Sequence, residues 1–318
     1  LFLIMTASTT IFVSCGKKEN AETKTEEFQW QIDQFDDIKV MRYQVPDWDS
    51  LTLQQKQFIY YLAEATYWGR DILWDQFFKY NLMLRNTLEG IYTTYNGDKD
   101  CEEWKNFEIY LKKVWCANGI HHHYSNDKFE PKFSKEYFMS LMENSKDAYN
   151  ALNAIEGMDK NEFTSLLCDI IFNPDKYQSK NNSAKDADII AQSCNNFYEN
   201  LTMKEVCAFY DNMQVPDTSK PISKGLNSKL LKTADGGEIV ERYYKIGGMY
   251  SDYIEKIVEN LKMAAEFAET DLQKQELNKL IEFYTTGDLV VWDEYNVMWA
   301  ANTEPRVDYV NGFIETYG

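Results

Sequence analysis

Two short runs hold the residue types that could do chemistry. All three histidines of the chain are consecutive: His121, His122 and His123. Imidazoles at neighbouring positions point about 100° apart on a helix and to opposite faces of a strand, so at most two could share a metal. The run therefore reads as a weak metal site, with a cleft-lining loop or a purely structural role as alternatives. It also exhausts the chain's imidazoles, so a helical zinc-protease motif, with two His flanking a Glu, is absent from these 318 residues. The second run ends the chain. Phe313, Glu315 and Tyr317 share one face if this segment is extended and are splayed if it is helical. An amphipathic terminal helix is the competing pattern. Acid pairs such as Asp293-Glu294 are expected by chance among 51 Asp and Glu and are given no catalytic weight. GxGxxG, phosphate-cradling GxxxxGKS or GxxxxGKT, and GxSxG do not occur.

The six cysteines include no CxxC pair, which leaves a zinc ribbon unsupported and burial as small hydrophobes the commoner fate. Cys15 is set apart by what precedes it. Residues 1–15, LFLIMTASTTIFVSC, are an apolar run ending in small residues, followed by the polar GKKENAETKTEE. This has the form of a secretory segment, and Phe12-Val13-Ser14-Cys15 resembles a bacterial lipobox, whose cysteine becomes lipid-modified. A buried N-terminal strand is the alternative. No initiator Met or basic region precedes the run, so the chain is expected to be cut at its front. With Cys15 lipidated, five cysteines remain, and an odd number outside the cytoplasm leaves at least one free thiol.

The elements that must position these residues follow from pattern. A net charge of -18 excludes a basic nucleic-acid module, and 44% hydrophobic with only 6 Pro and 14 Gly excludes a disordered or collagen-like chain. Beyond the first segment no stretch reaches the roughly 18 apolar residues of a membrane span. Residues 28–32 and 38–45 alternate as strands do, the second stopped by Pro46. Thr52 and Gln55 form a capping box ahead of a helical stripe of Phe58, Tyr61, Leu62 and Ala65. Leu84, Leu88, Ile91 and Tyr95 make another stripe. Further helices are expected near 101–116, 134–155, 159–171, 184–212 and 254–265, and one from a capping box at Thr270 and Gln273 to Gly287. Loops are expected at 173–183 and 214–224. Two strand-like runs around Asp235-Gly236 predict a hairpin. The sum is α+β: predominantly helical, with a small antiparallel sheet or barrel core.

Several motifs together carry a resemblance. The run Tyr309-Val-Asn-Gly312-Phe-Ile-Glu315-Thr-Tyr317 is similar to the Gly-Phe-Ile-Glu-x-Tyr segment of the dipeptidyl peptidase III family, zinc-dependent exopeptidases that release dipeptides from peptide N-termini. Asp71-Ile-Leu-Trp-Asp75, Asn118-Gly-Ile-His-His-His-Tyr124, Asp127-Lys-Phe129, Gly225-Leu-Asn-Ser-Lys229 and Ile246-Gly-Gly-Met249 resemble its bacterial branch. The resemblance implies two lobes around a cleft, with residues 28–318 corresponding to the N-terminal lobe of β-core plus helices, incomplete at its C-terminus, after a signal segment (1–15) and a polar linker (16–27). It assigns Glu315 to the substrate's ammonium, Tyr317 to polarising the scissile carbonyl, and Tyr124 to substrate binding. The substrate would lie extended along the β-core. The family's His-Glu-x-x-Gly-His zinc motif does not occur in this sequence, so zinc is expected only in a full-length protein and the 318-residue chain alone is expected to be inactive. The expected partners are a short peptide and, through Cys15, a membrane of the bacterial cell envelope. The rival reading is a non-catalytic, lipid-anchored peptide-binding protein.

Overall fold

The computed structural model describes residues 28–213, 219–234 and 237–312, in two compact units divided between Gln44 and Val45. The first unit is a hairpin in which β1 (Gln31–Phe35) pairs antiparallel with β2 (Ile38–Met41). Asp36 makes the turn at φ 47°, a left-handed conformation that Asp tolerates. The strand expected to reach Val45 stops at Met41, and the pairing ends with Arg42, whose N–H bonds Trp30 O.

The second unit is organised by α1 (Leu53–Phe77), which opens with the expected capping box: the Thr52 hydroxyl accepts from Gln55 N, and the Gln55 side chain accepts from Thr52 N. At 1.5 Å per residue, its 25 residues span roughly 37 Å. Phe58, Ala65 and Ile72, seven residues apart, face one core, and Trp74 faces another. The Trp74 core is closed by α2 (Asn81–Thr94), α3 (Glu102–Ala117), α4 (Lys135–Asn144) and α5 (Lys160–Phe172). Gly90 lets α2 meet backbone directly, since a Cβ there would stand 2.3 Å from Asp147 O. The helix expected over 134–155 stops at Asn144. Ser145 is extended, and the chain turns inward to bury Ala148 before a short 3-10 turn.

The helix expected over 184–212 is a larger correction. Residues there form α6 (Ile189–Gln192), the two-residue strand β3 (Tyr198–Glu199) and α7 (Met203–Asp211). The Asp188 carboxylate accepts from Ile190 N and Ala191 N and also from Met203 N, drawing both helix starts to one side chain. Between them Asn196 N bonds Gln76 O at the end of α1, which is incompatible with a continuous helix. β3 runs parallel to β4 (Ser228–Lys232), which pairs antiparallel with β5 (Ile239–Tyr243) from Ser228↔Tyr243 to Lys232↔Ile239. This is the expected hairpin, and its Asp235-Gly236 turn lies outside the described residues. Among the described residues the β-core thus consists of two small open sheets without a closed barrel.

The Phe58 core is completed by α8 (Ser251–Glu266), α9 (Asp271–Thr286) and α10 (Leu289–Ala301). Gly287 closes α9 at φ 74°, as expected. The sequence pattern does not mark α10, whose apolar residues are spread around the helix. The molecule is therefore α+β and predominantly helical. Among the described residues five cysteines are free thiols (Cys101, Cys116, Cys168, Cys194 and Cys207), and no helix is long and apolar enough to cross a membrane.

Candidate functional site

Glu315, Tyr317 and Cys15 lie outside the described residues. The structure does describe the approach to the first two. After α10 the chain crosses the faces of α9 and α10 as irregular structure, held by side chains through its backbone at Val307 and Tyr309 and through the side chain of Asn311. Val307 N donates to Glu269 Oε1 (2.9 Å), and Val307 O accepts from Gln273 Nε2 (2.9 Å). Trp299 Nε1 reaches Tyr309 O at 2.9 Å, and the Tyr284 hydroxyl donates to Asn311 Oδ1 at 2.9 Å. Residues 307, 309 and 311 are thus each gripped by a side chain of α9 or α10 or of the turn before α9. The grips on α9, Gln273, Glu276 and Tyr284, lie on the stripe that also carries Leu277 and Leu280.

This clamp is built from buried polar groups. Gln273 and Glu276 are both 0% exposed. Gln273 Oε1 accepts from Glu269 N, so one amide satisfies two backbone groups. Sequence pattern places that side chain in a capping box, but only half of the box forms. The Thr270 hydroxyl accepts from Gln273 N, and the Gln273 side chain turns away to Glu269 and Val307. Burial holds the Glu276 carboxyl above its usual range, with Asn302 donating to Oε2 at 2.9 Å and the Tyr309 hydroxyl alongside. Burial also raises the Tyr309 phenol and pushes Tyr295 up to about 12, so both stay protonated. The contacts these groups make fix the chain that precedes Phe313-Ile-Glu315.

Tyr124 is 66% exposed, on the loop after α3, and does not line the cavity beside residues 310–312. The three histidines have separate environments. His121 is buried, its Nε2 donating to Tyr177 O at 2.9 Å, and desolvation holds its pKa down to about 4. His122 Nδ1 accepts from the backbone N–H groups of Tyr124 and Ser125. His123 stacks on His122 and meets the Tyr124 ring at a tilt. The run is a loop staple.

The other resemblance motifs prove to be joints. Asp71 pairs with Arg85 (2.9 Å), linking α1 to α2. Asp75 accepts from Asn196 Nδ2, and Asn196 Oδ1 accepts from Lys229, which also pairs with Glu199 at 2.6 Å, so α1 is tied to the three-stranded sheet. Burial outweighs Lys229 and raises the Asp75 carboxyl. Asn227 Nδ2 bonds Gly287 O, and Ile246 N bonds Tyr284 O, securing the sheet to the end of α9.

A cavity of about 570 Å³ runs between α1, α8 and α9, with Tyr309, Val310, Asn311 and Gly312 forming one wall. Such a volume suits a small ligand or a side chain of a larger one.

Comparison with known proteins points in one direction. Residues 176–318 match Peptidase family M49. Over that segment the chain is similar to the M49 peptidases. It is 21% identical over 293 residues to "Dipeptidyl peptidase 3" of Dictyostelium discoideum, covering 84% of this chain and 39% of that protein. Solved structures of DPP III from Caldithrix abyssi and dipeptidyl-peptidase III from Corallococcus sp. strain EGB align over 81% and 84% of this chain, with TM-scores of 0.47 and 0.46 and 15% identity each. The chain spans 39% of the length of the curated relative and 35% of each structure. The family model and the curated relative agree with the resemblance carried by the motifs, and the clamp lies within the M49-matching residues.

M49 peptidases are zinc-dependent, and the residues described here do not fit that metal. Among them no group of three or more His, Cys, Asp or Glu could hold one, and the histidine run is already committed as above. Sequence reasoning missed the clamp, although one signal was available: Gln273 and Glu276 are polar residues on an otherwise apolar stripe.

Proposed function

We propose that this chain is the substrate-holding part of an M49-type peptidase that removes dipeptides from peptide N-termini, with Glu315 binding the free ammonium and Tyr317 polarising the scissile carbonyl. The zinc chemistry would be supplied by residues outside this sequence. The observation that carries the reading is the clamp. A buried set of side chains fixes alternate residues up to Asn311, inside the segment that matches the family, immediately before Gly312-Phe-Ile-Glu315-Thr-Tyr317. A carboxylate anchored at a fixed point selects a free N-terminal ammonium, and counting two residues from that anchor gives dipeptide release. Cys15 is the proposed lipid attachment point that places the protein at a bacterial cell envelope. Loss of fatty-acid labelling in Cys15→Ser tests that point, and undiminished labelling would refute it.

The test of substrate holding needs no catalysis. The 318-residue chain is titrated with a tetrapeptide and with its N-acetyl form. The free-amine peptide is expected to bind at least about tenfold tighter, and Glu315→Gln to abolish the difference. Equal binding of the two peptides by the parent chain would overturn the assignment. Zinc-dependent dipeptide release by a longer form of the protein separates the peptidase from a peptide-binding protein without catalysis.

A further inference from the structure

The 570 Å³ cavity does not end at Gly312. Arg70 and Asn118 line it and also line a second cavity of about 480 Å³, whose other walls include Tyr67, Asp71, Arg85 and Glu89. Arg70, which is exposed, and the half-buried Asn118 stand between the two spaces, whose characters differ. The first is walled by Leu62, Ala65, Leu73, Ile257, Leu261 and Leu280. The second is polar, but its acids are engaged. Asp71 accepts from Arg85 (2.9 Å) and from the Tyr253 hydroxyl, and Glu89 Oε1 accepts from Trp115 Nε1 at 2.9 Å. Arg85 is engaged by the same pair. Arg70 is not. Among the described residues its guanidinium has no carboxylate partner, and its recorded contact is with the Tyr67 ring, 5.6 Å from the centroid. The Asn118 side-chain amide likewise has no hydrogen-bond partner among the described residues.

An unpaired guanidinium beside an amide donor, at the mouth of an aliphatic cavity, complements one kind of ligand. Arginine offers a planar fork matched to the two oxygens of a carboxylate, and the aliphatic walls favour an apolar body over water. We propose that this junction binds a small apolar carboxylate, with Arg70 and Asn118 holding the carboxylate and the cavity between α1, α8 and α9 holding the apolar body. The ligand class is that of a peptide's C-terminal residue or a short fatty acid. The proposal goes beyond the peptidase reading, since it requires neither Glu315 nor a metal.

Gly69 supplies a clean test. It lines the cavity, and an added Cβ would meet only Ile257 Cδ1, at 3.9 Å, so Gly69→Leu fills the space without a clash at its base. The 318-residue chain is titrated by calorimetry with N-acetyl-leucine, N-acetyl-leucinamide, acetyl-Ala-Leu and hexanoate. Saturable binding of N-acetyl-leucine is expected, with the amide about tenfold weaker. Arg70→Gln should remove that preference, and Gly69→Leu should weaken every ligand while keeping the circular dichroism spectrum of the parent and a urea midpoint no lower than the parent's, since leucine is the better helix former. Tighter binding of acetyl-Ala-Leu than of hexanoate assigns the site to peptide C-termini, and the reverse order assigns it to fatty acids. Either order supports the site. Failure of all four probes to saturate, or an Arg70→Gln protein that keeps the carboxylate preference, overturns the proposal.

Discussion

His121 makes the stability of this chain depend on pH in a window that can be worked out. The side chain is 2% exposed, donates from Nε2 to Tyr177 O, and leaves Nδ1 buried without a partner. Protonating Nδ1 would place a cation in a desolvated site that also faces Lys180 and Lys128, with only Asp127 opposing them, which is why the folded pKa drops to about 4 from 6.5. The folded protein therefore binds fewer protons here than the unfolded chain, and stability is complete above pH 6.5 and lost as pH falls toward 4. At about 1.4 kcal/mol per pKa unit the loss approaches about 3 kcal/mol in the acid limit, of which about 2 kcal/mol falls between pH 7 and pH 5. Urea unfolding of the parent and of His121→Gln at both pH values isolates this contribution, because carboxylate effects and the depressed His123 cancel in the difference. Gln keeps a donor for Tyr177 O and does not titrate. The parent should lose about 2 kcal/mol more than the variant on going from pH 7 to pH 5. Identical losses would show that His121 is not held neutral by burial.

Three further outcomes test the clamp and the packing. Gln273→Leu removes two buried hydrogen bonds and strands Glu269 N and Val307 O, so urea unfolding should register a loss of about 2–4 kcal/mol. Tyr284→Phe keeps the ring and deletes the bond to Asn311. It should cost about 0.5–1.5 kcal/mol in urea unfolding, and an unchanged midpoint would refute the clamp's hold at Asn311. Gly90→Ala pushes a methyl into Asp147 O and should destabilise by about 1–3 kcal/mol despite alanine's better helix propensity, whereas a stabilised variant would contradict the close approach of the backbones.

What could be read in the sequence was the chemistry that acts over a few residues. Thr52 with Gln55 opens α1, Gly287 closes α9, and the β4–β5 runs pair as their alternation implies. The same local reading failed where a distant partner outbids a nearby one. Gln273 has the spacing of a capping residue, yet its amide serves Val307, 34 positions away. Tyr198 and Glu199 lie in a stretch of helical character and become a strand because β4 stands beside them. The helix α10 was hidden because apolar residues around its whole circumference leave no stripe to detect. Among the resemblance motifs, Asp71, Asp75, Asn227 and Lys229 were legible as a family signature without their roles being legible, since each role is a bond to an element elsewhere in the chain.

The helix α1 has an effect that no single contact reveals. Phe58, Ala65 and Ile72 are walls of one core and Trp74 of the other, so two apolar interiors share one rod. Melting either end removes the wall of its own core and also releases a segment whose helical hydrogen bonds continue into the neighbouring core. The two interiors are therefore expected to unfold in a single transition, and the cavities lined from Leu62 to Trp74 rest on a rod that both cores hold.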